Sequence, residues 1–308
     1  MESSTPARIK TSHVTILMAT FNGMPWVTEQ LASLLGQTHQ DWSLWVSDDG
    51  SSDGTRAAIR AFGAVHPGRL ARLIKGPGRG AADNFMHMLC HPDLPPGIVA
   101  LCDQDDVWLP EKLSYAVAAL GASAARPAVW SARYLISDAG LSQSRASALW
   151  PHPPGLGNAM VQNILSGHTL TINAPALAAL RRAGHRQVPH HDWWVYLVMA
   201  AIGAVIHVDH RLVLHYRQHG RNVMGARHLT RLVRLRGVLD GTLQRWIAAN
   251  IAALAASDLP LTPEAQDLVA RWQNPVKGRL RVMRDFGLHR QSWLETRILH
   301  LVAALGKL

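Results

Sequence analysis

The feature that most constrains the fold is a strand–helix alternation that repeats four times between residues 13 and 120. Each repeat begins with a short apolar run and continues, after a turn, with apolar residues at helical spacing. Such alternation with short connections is typical of a parallel sheet that is covered by helices on both faces. We therefore predict an α/β fold, with strands at residues 13–20, 42–46, 70–75 and 98–103.

Turn residues that could contact a ligand follow each of these strands at the point where the strand ends. They are Thr20, Phe21 and Asn22 after the first strand, Asp48 and Asp49 after the second, residues 76–80 after the third, and Asp103 to Asp106 after the fourth. The carboxyl ends of parallel strands lie along one edge of a sheet, where open α/β folds bind their ligands. The sequence therefore predicts a single crevice at that edge.

The fourth strand ends in three carboxylates, Asp103, Asp105 and Asp106. Three acids at the end of a buried strand repel one another unless a positive charge compensates them. A divalent cation that binds a phosphate-bearing ligand would do so, and oxygen ligands suit Mg²⁺ or Mn²⁺. An alternative is that Asp106 caps the helix that starts near Pro110, but this explains only one of the three acids.

The turn sequences disfavour two other classes of nucleotide site. The turn after the first strand contains no Gly-x-Gly-x-x-Gly, and no Gly-Lys-Ser/Thr of a P-loop follows any strand. The glycine-rich residues 76–80 follow the third strand, and a plain turn accounts for them. Hydride transfer and P-loop hydrolysis are therefore disfavoured.

The pattern changes after about residue 126. We expect a strand at 128–136, an irregular and mobile loop over the crevice at 151–157, and a helix that begins at Pro175. Asp192 lies at the start of a helix that runs to about Ala201, where it is a candidate N-cap. Two strands, 205–208 and 212–216, and the polar residues 217–222 follow.

The last quarter of the chain carries most of the net charge of +10, since residues 226–308 hold 13 Lys/Arg and 6 Asp/Glu. Apolar residues recur at helical spacing in 229–238 and 292–305, with a helix start at Thr262 and Pro263. Packing against the body explains such helices, and contact of 228–308 with an anionic membrane surface is the alternative. We expect no nucleic-acid partner, because no binding motif is recognised.

The cysteine content and the chain start favour a cytoplasmic protein. Cys90 and Cys102 both lie in apolar surroundings and cannot form a disulfide framework, which favours a reducing compartment. Residues 1–13 lack the apolar core of a signal peptide. The apolar residues 193–208 are too short to span a bilayer, so we expect a buried helix, a turn at Gly203 and a strand.

Five segments, taken in order and spacing, resemble the family-2 glycosyltransferases. They are residues 18–22, 30–38, 47–55, 103–108 and 191–193 within a similarity that covers about 13–224. The resemblance implies a GT-A fold, a mostly parallel nucleotide-binding sheet, and a nucleotide-diphosphate sugar as donor. Residues 103–108, 166–173 and 216–222 look most like those of bacterial rhamnosyltransferases, so dTDP-rhamnose is the expected donor.

The resemblance also implies roles for individual residues in the nucleotide-sugar site and the metal site. Thr20, Phe21, Asn22 and Gln104 would lie at the nucleotide sugar, Asp49 would accept a hydrogen bond from the pyrimidine, Asp103 would contact the ribose, and Arg79 would contact the nucleotide. Asp105 would hold a divalent metal, Mg²⁺ or Mn²⁺. His219 would be a further metal or phosphate contact, although a surface histidine is an equal alternative. Asp192 would be the general base.

Together these expectations describe an inverting, metal-dependent transferase at the inner face of the cell membrane. It would move a sugar to a hydroxyl of a growing surface glycan or lipid-linked acceptor. We expect residues 1–225 to form the transferase domain, with 13–125 binding the donor and 126–225 the acceptor, and 226–308 to form a basic helical region. Two alternatives are another donor sugar (glucose, galactose or an amino sugar) and a catalytically silent, membrane-associated scaffold that binds nucleotide sugar.

Overall fold

The computed structural model describes residues 13–220, 240–275 and 278–308. Its strands are β1 (Val14–Thr20), β2 (Trp42–Asp48), β3 (Leu70–Lys75), β4 (Ile98–Asp103), β5 (Val107–Trp108), β6 (Ala128–Ser137), β7 (Ser144–Ala146), β8 (Thr171–Ile172) and β9 (Val205–Arg217). Its helices are α1 (Val27–Leu35), α2 (Thr55–Val65), α3 (Ala81–Leu89), α4 (Lys112–Gly121), α5 (Leu156–Ala159), α6 (Ala174–Ala183), α7 (His191–Ala201), α8 (Thr242–Ala255), α9 (Pro263–Gln273), α10 (Arg279–Asp285) and α11 (Trp293–Ala304).

One sheet carries all these strands, in the order β3-β2-β1-β4-β8-β6-β9-β5, with β7 paired to β6. The first four in this order are parallel, as the alternation of strands and helices predicts. The two-residue strand β8 runs antiparallel to both β4 and β6, and so joins the parallel half to a mixed half. The predicted α/β fold is confirmed, and its antiparallel pairs lie in the second half.

Two clusters of buried apolar residues cover the two faces of the sheet. One cluster contains the apolar stripes of α1, α2 and α4, for example Leu31, Ile59 and Leu113. The other contains α3, α6 and α7 together with apolar residues of α8 to α11, such as Ile251 and Leu299. The described C-terminal helices therefore pack on the body. None of the helices in the described ranges is long and apolar enough to cross a membrane.

The structure corrects one capping assignment and refines one strand assignment. Asp106 does not cap α4, because the N-cap position is Glu111, while the Asp106 side chain is fully buried five residues earlier. The two strands expected at 205–208 and 212–216 form the single strand β9, whose pairing with β6 shifts register twice. The predicted helix, turn and strand across residues 193–208 are confirmed.

Of the other predictions, some are confirmed and some lie outside the described residues. The predicted helix starts near Pro175 and Thr262 are confirmed, and the Thr262 side chain accepts the N–H of Ala265 at 3.2 Å. The last two of the residues 151–157, which the sequence predicts to be irregular, belong to α5. The backbone N–H and carbonyl of His152 both form hydrogen bonds with the side-chain amide of Gln291. The helical stripe predicted at 229–238 and the end of the polar residues 217–222 lie outside the described residues.

Candidate active site

The floor of the crevice contains Thr20 and Asp48, which are register partners at the ends of β1 and β2. Both side chains are buried, and the Thr20 hydroxyl donates to Asp48 Oδ2 at 2.8 Å. Ser51 donates its hydroxyl to the same oxygen at 2.6 Å and its N–H to Asp48 Oδ1 at 3.0 Å. Thr20 thus lies at the predicted crevice, where its hydroxyl ties two strand ends together.

Asp49 holds the glycine-rich loop that follows β3. Its carboxylate accepts the N–H of Gly78 at 2.9 Å and that of Gly80 at 3.0 Å. A Cβ on Gly76 would collide with Asp49 Oδ1, so the close approach of loop and carboxylate requires glycine there. At the loop tip, Arg79 is exposed and pairs with Asp83 at 2.8 Å. The loop predicted as a plain turn is therefore part of the crevice wall.

Gln104 joins the ends of β1 and β4. Its side-chain amide accepts the N–H of Phe21 and donates to the Phe21 carbonyl, both at 2.9 Å. The Phe21 ring itself is 57% exposed, which leaves a face open for stacking on a flat ligand. Asn22 adopts a positive φ of 48° and accepts the N–H of Ser52 at 2.8 Å. Gln104 and Asn22 therefore position the backbone at the crevice.

Asp105 and His219 lie in direct contact although 114 positions separate them in the sequence. Asp105 Oδ2 and His219 Nε2 are 2.8 Å apart, and both side chains are largely buried. The His219 ring stacks on Trp26 with 3.8 Å between centroids. The buried Arg217 donates to the Asp105 carbonyl at 3.0 Å and pairs with Glu29 at 2.6 Å. The structure thus brings the two predicted metal ligands together, and His219 is not a surface histidine.

A second cluster lies beside this pair and consists of Asp103, Asp106 and His168. One ligand atom of each residue lies within 4.8 Å of the others. His168 Nδ1 is 3.4 Å from Asp106 Oδ2 and 3.9 Å from Asp103 Oδ2. Both Asp106 oxygens are buried and have no hydrogen-bond partner in the described part of the chain. Buried carboxylate oxygens without partners fit a bound cation, and carboxylate ligands suit Mg²⁺ or Mn²⁺.

The electrostatics of the carboxylates agree with a cation-binding centre. Partial burial, together with the charges of Asp105 and Asp192, raises the pKa of Asp103 to about 7. Burial and the charges of Asp105 and Asp103 raise the pKa of Asp106 well above its usual range. Without compensation such groups favour the neutral acid, and a divalent cation among them would favour the carboxylate forms.

Burial also shifts the pKa values of Lys112, next to this centre, and of His168 within it. Lys112, in the first turn of α4, is fully buried with its ammonium 3.1 Å from the centroid of the Trp108 ring. Burial lowers the pKa of Lys112 to about 7. Burial, with the charges of Lys112 and His191, lowers the pKa of His168 to about 3. His168 is therefore a neutral imidazole near pH 7, which is the form that binds metals.

Asp192 lies in the first turn of α7, two residues after the N-cap position at His190, so it is not the N-cap. Its carboxylate instead accepts the N–H of Gly167 at 3.2 Å. Gly167 begins the short 3₁₀ turn that carries His168, so one backbone segment links Asp192 to the acidic cluster. Its charge acts on Asp103, as the raised pKa of that group indicates.

Most of the predicted site residues therefore meet at one edge of the sheet. Thr20, Phe21, Asp49 and Arg79 lie on the donor side, and Asp103, Asp105, Asp192 and His219 meet at the junction between the two halves. His168, Lys112 and Arg217 also lie at the junction, although no role is predicted for them from the sequence. For His168 a signal was present, since residues 166–173 carry part of the resemblance. Arg217 lies in residues 216–222, which carry another part of the resemblance, whereas Lys112 has no such signal because only the fold shows that it is buried.

Comparison with known proteins identifies the family of this chain. The family model described as Glycosyl transferase family 2 matches residues 15–188, more than half of the chain. The dTDP-rhamnosyl transferase RfbG of Shigella flexneri is 27% identical over 231 residues, which cover 68% of this chain and 74% of that protein. This similarity supports a family-2 enzyme of the rhamnosyltransferase-like kind.

Solved structures show the same architecture. The fragment 1–349 of S. aureus TarS, in complex with UDP-GlcNAc, has a TM-score of 0.56 at 16% identity and matches 83% of this chain and 70% of its own. Mannosyltransferase PcManGT from Pyrobaculum calidifontis, in complex with GDP-Man and Mn²⁺, has a TM-score of 0.53 at 19% identity, over 97% and 88% of the two chains. The match to a longer TarS chain covers 42% of that chain. Because the family model spans the strands and turns that form the crevice, the chain belongs to glycosyl transferase family 2 and is a glycosyltransferase with a GT-A-type fold.

Proposed function

We propose that the protein is an inverting, metal-dependent transferase that moves rhamnose from dTDP-rhamnose to a hydroxyl of a surface glycan or lipid-linked glycan. The observation that carries this proposal is the junction of the two halves. There Asp192 is fixed by Gly167 beside the carboxylates of Asp103, Asp105 and Asp106. The backbone segment 167–168 links the candidate base to the acidic cation site. A base and a cation site linked in this way fit a reaction in which a nucleoside diphosphate leaves and an acceptor hydroxyl attacks.

The donor binds along the crevice wall formed by the ends of β1, β2 and β3. The exposed ring of Phe21 is the stacking surface for the base, and the Asp49 carboxylate that holds the loop 76–80 faces its polar edge. The choice of dTDP-rhamnose rests on the similarity to the Shigella flexneri dTDP-rhamnosyl transferase. Glucose, galactose and amino-sugar donors are the alternatives within the same fold.

The acids at the end of β4 would hold a divalent metal, which would compensate the charge of the donor diphosphate. Asp105 and His219 hold it in this proposal, and the cluster of Asp103, Asp106 and His168 lies beside them. A divalent ion there supplies Lewis-acid stabilisation to the departing nucleoside diphosphate. Supporting observations are the unpartnered Asp106 oxygens and the Mn²⁺ in the complex of the similar mannosyltransferase.

Transfer proceeds as a single displacement. The acceptor hydroxyl oxygen forms a bond to the anomeric carbon while the bond from that carbon to the phosphate oxygen breaks. Asp192 takes the hydroxyl proton, and its carboxylate is held for this by the Gly167 N–H. Attack opposite the leaving group inverts the configuration at the anomeric carbon.

The decisive experiment is release of nucleoside diphosphate across a panel of donors with Mg²⁺, Mn²⁺ or a chelator. We expect fastest release from dTDP-rhamnose and loss of release with the chelator. Fastest release from another nucleotide sugar would replace the donor assignment. Donor binding without any release of nucleoside diphosphate would favour the catalytically silent scaffold. The presence of all three carboxylates, Asp103, Asp105 and Asp192, argues against that alternative.

We further propose that α11 contacts the inner, cytoplasmic face of the cell membrane. Three of its apolar side chains, Trp293, Leu294 and Leu301, face solvent, as does Leu305 at its C-cap. Arg297 lies against the Trp293 ring, and Lys307 follows the helix. Exposed apolar residues next to basic ones fit an anionic lipid surface, with Trp293 at the headgroup level.

Flotation of the full chain with phosphatidylglycerol vesicles tests this contact. We expect the double variant Trp293→Ser with Leu301→Ser to float less than the unchanged chain. The matched control is Val65→Ser, because Val65 is an equally exposed apolar residue on α2. Equal flotation of the double variant and the control would contradict the membrane contact.

A further inference from the structure

A groove runs from the junction of the two halves to the C-terminal helices. Its inner part has a volume of about 400 Å³ and is bounded by Tyr134, Arg145, Ala148, Ser166 and Ser292. Its outer part has a volume of about 690 Å³ and is bounded by Trp130, His152 and His207 among others. Trp150 and Pro151 line both parts. Each volume lies within the range of about 300–1,000 Å³ that is usual for small-molecule sites.

Hydrogen bonds hold the walls of this groove in place. Arg133 donates twice to the Ser147 carbonyl, at 3.1 and 2.6 Å, which anchors the segment after β7 to β6. The Trp150 indole donates to the Ile164 carbonyl at 3.1 Å. These contacts fix one wall of the groove.

The other wall belongs to the C-terminal region. Gln291 accepts the His152 N–H at 2.9 Å and donates to the His152 carbonyl at 3.0 Å. Ser292 and Glu295, at the start of α11, line the inner part. These residues lie more than a hundred positions beyond residue 188, where the match to the family model ends. The C-terminal wall is therefore a feature of this chain that the family model does not describe.

The inner end of the groove lies beside the segment that holds the candidate base. Ser166 lines it, and the next residue, Gly167, donates to Asp192. Tyr134 also lines it and packs edge-on against His168, with 4.5 Å between ring centroids. A molecule in the inner part therefore contacts the residue that precedes the Gly167–Asp192 hydrogen bond.

The chemistry of the lining fits a carbohydrate. The rings of Tyr134 and Trp150 offer flat apolar surfaces for the C–H faces of sugars, and hydroxyl, amide and carboxylate groups surround them. Pockets that combine aromatic walls with a few fixed polar groups recognise ligands that are partly apolar and rich in hydroxyls. Two connected volumes on either side of Trp150 give room for more than one sugar ring.

We propose that this groove binds the acceptor as an oligosaccharide and that the C-terminal region completes the acceptor site. The terminal sugar lies in the inner part, with its reacting hydroxyl toward Asp192, and the next sugar lies beyond Trp150. This inference rests on the proposed transferase function in one respect, namely that the molecule in the groove is a glycosyl acceptor. Residues 291–295 contribute directly to acceptor binding in this arrangement.

Ligand-detected NMR on the full chain tests the groove without turnover. The probes are p-nitrophenyl glycosides of α-L-rhamnose, β-D-glucose, β-D-galactose and N-acetyl-β-D-glucosamine. Two variants fill the inner part from opposite walls, Ala148→Trp and Ser292→Trp. We expect at least one glycoside to bind the unchanged chain, and each variant to weaken that binding at least tenfold while the far-UV circular dichroism spectrum is retained.

The matched control is Ala64→Trp, because Ala64 is an exposed alanine on α2, outside the residues that line the groove. We expect its glycoside binding to stay within twofold of the unchanged chain. Binding of no glycoside, or equal binding by the two groove variants and the control, would overturn the proposal. Failure of the proposed transferase function would appear separately, as no nucleoside diphosphate release from any donor while glycosides still bind.

Discussion

The Asp48 and Asp49 carboxylates on the donor side and the Asp106 carboxylate at the junction differ in their hydrogen bonds. On the donor side, Asp48 accepts hydrogen bonds from Thr20 and Ser51, and Asp49 accepts two backbone N–H groups. At the junction, the Asp106 oxygens and the Lys112 ammonium are buried without a hydrogen-bond partner in the described ranges. Satisfied groups stabilise the frame of a site, whereas unsatisfied buried charges cost free energy that a ligand can recover.

This difference separates residues that shape the crevice from residues that act in it. Clusters of carboxylates with raised pKa values, next to a buried lysine, are characteristic of functional sites. The donor side is therefore a preformed binding surface. The junction contains the charged groups that would bind the metal and take part in the reaction. Four predictions test this contrast.

The largest expected effect belongs to Asp192. Asp192→Asn removes the proton acceptor but keeps the size of the side chain, so transfer should fall by about 10³-fold. Binding of the nucleotide sugar, measured by calorimetry, should stay within about twofold because Asp192 is not on the donor wall. The exposed Asp258→Asn is the control for the loss of one carboxylate. Undiminished transfer by Asp192→Asn would remove Asp192 as the base.

The second prediction separates the two acidic groups at the junction. Asp105→Asn should lower transfer by about 10²-fold and raise the Mn²⁺ concentration needed for half-maximal activity more than tenfold. His168→Asn should raise that concentration less, because we assign the ion to Asp105 and His219. A larger effect of His168→Asn in the same titration would move the ion to the cluster of Asp103, Asp106 and His168.

The sequence predicted the donor side well because its information is local. The first four strands, the turns after them and the acids at the end of β4 are contiguous segments, and their convergence follows from parallel pairing alone. Even there, the hydrogen bonds were not predictable. Gln104 lies 83 positions from Phe21, and nothing in the sequence indicates that its amide pairs with that backbone.

The junction was predicted less completely because its contacts are long-range. His168 reaches Asp106 only because β8 inserts between β4 and β6 in the sheet, and no periodicity encodes that insertion. The alternative role of Asp106 as a helix cap follows from its distance to Pro110, but tertiary packing buries Asp106 and the N-cap position is Glu111. The groove wall at residues 291–295 likewise depends on how the C-terminal helices pack on α7.

A third prediction compares stability on the two sides. Asp48→Asn should lower the free energy of unfolding by about 2–3 kcal/mol, because two buried hydroxyl donors and a backbone N–H share its oxygens. Asp106→Asn should cost less than about 1 kcal/mol or stabilise the protein, because no regular hydrogen bond to its oxygens is found among the described residues. Urea unfolding measures both, and the reverse order would refute the contrast.

The smallest expected effect is a pH dependence that originates at the junction. Burial lowers the pKa of His191 to about 4, from 6.5 in the unfolded chain. Below pH 6.5 the unfolded chain therefore binds more protons than the folded one, and stability falls as the pH drops from 6.5 toward 4. Between pH 7 and pH 5 the unchanged chain should lose about 1–2 kcal/mol more than His191→Gln in urea unfolding. His66→Gln, at the end of α2, controls for the loss of one histidine, and parallel pH profiles of the unchanged chain and His191→Gln would show that His191 is not held neutral by its burial.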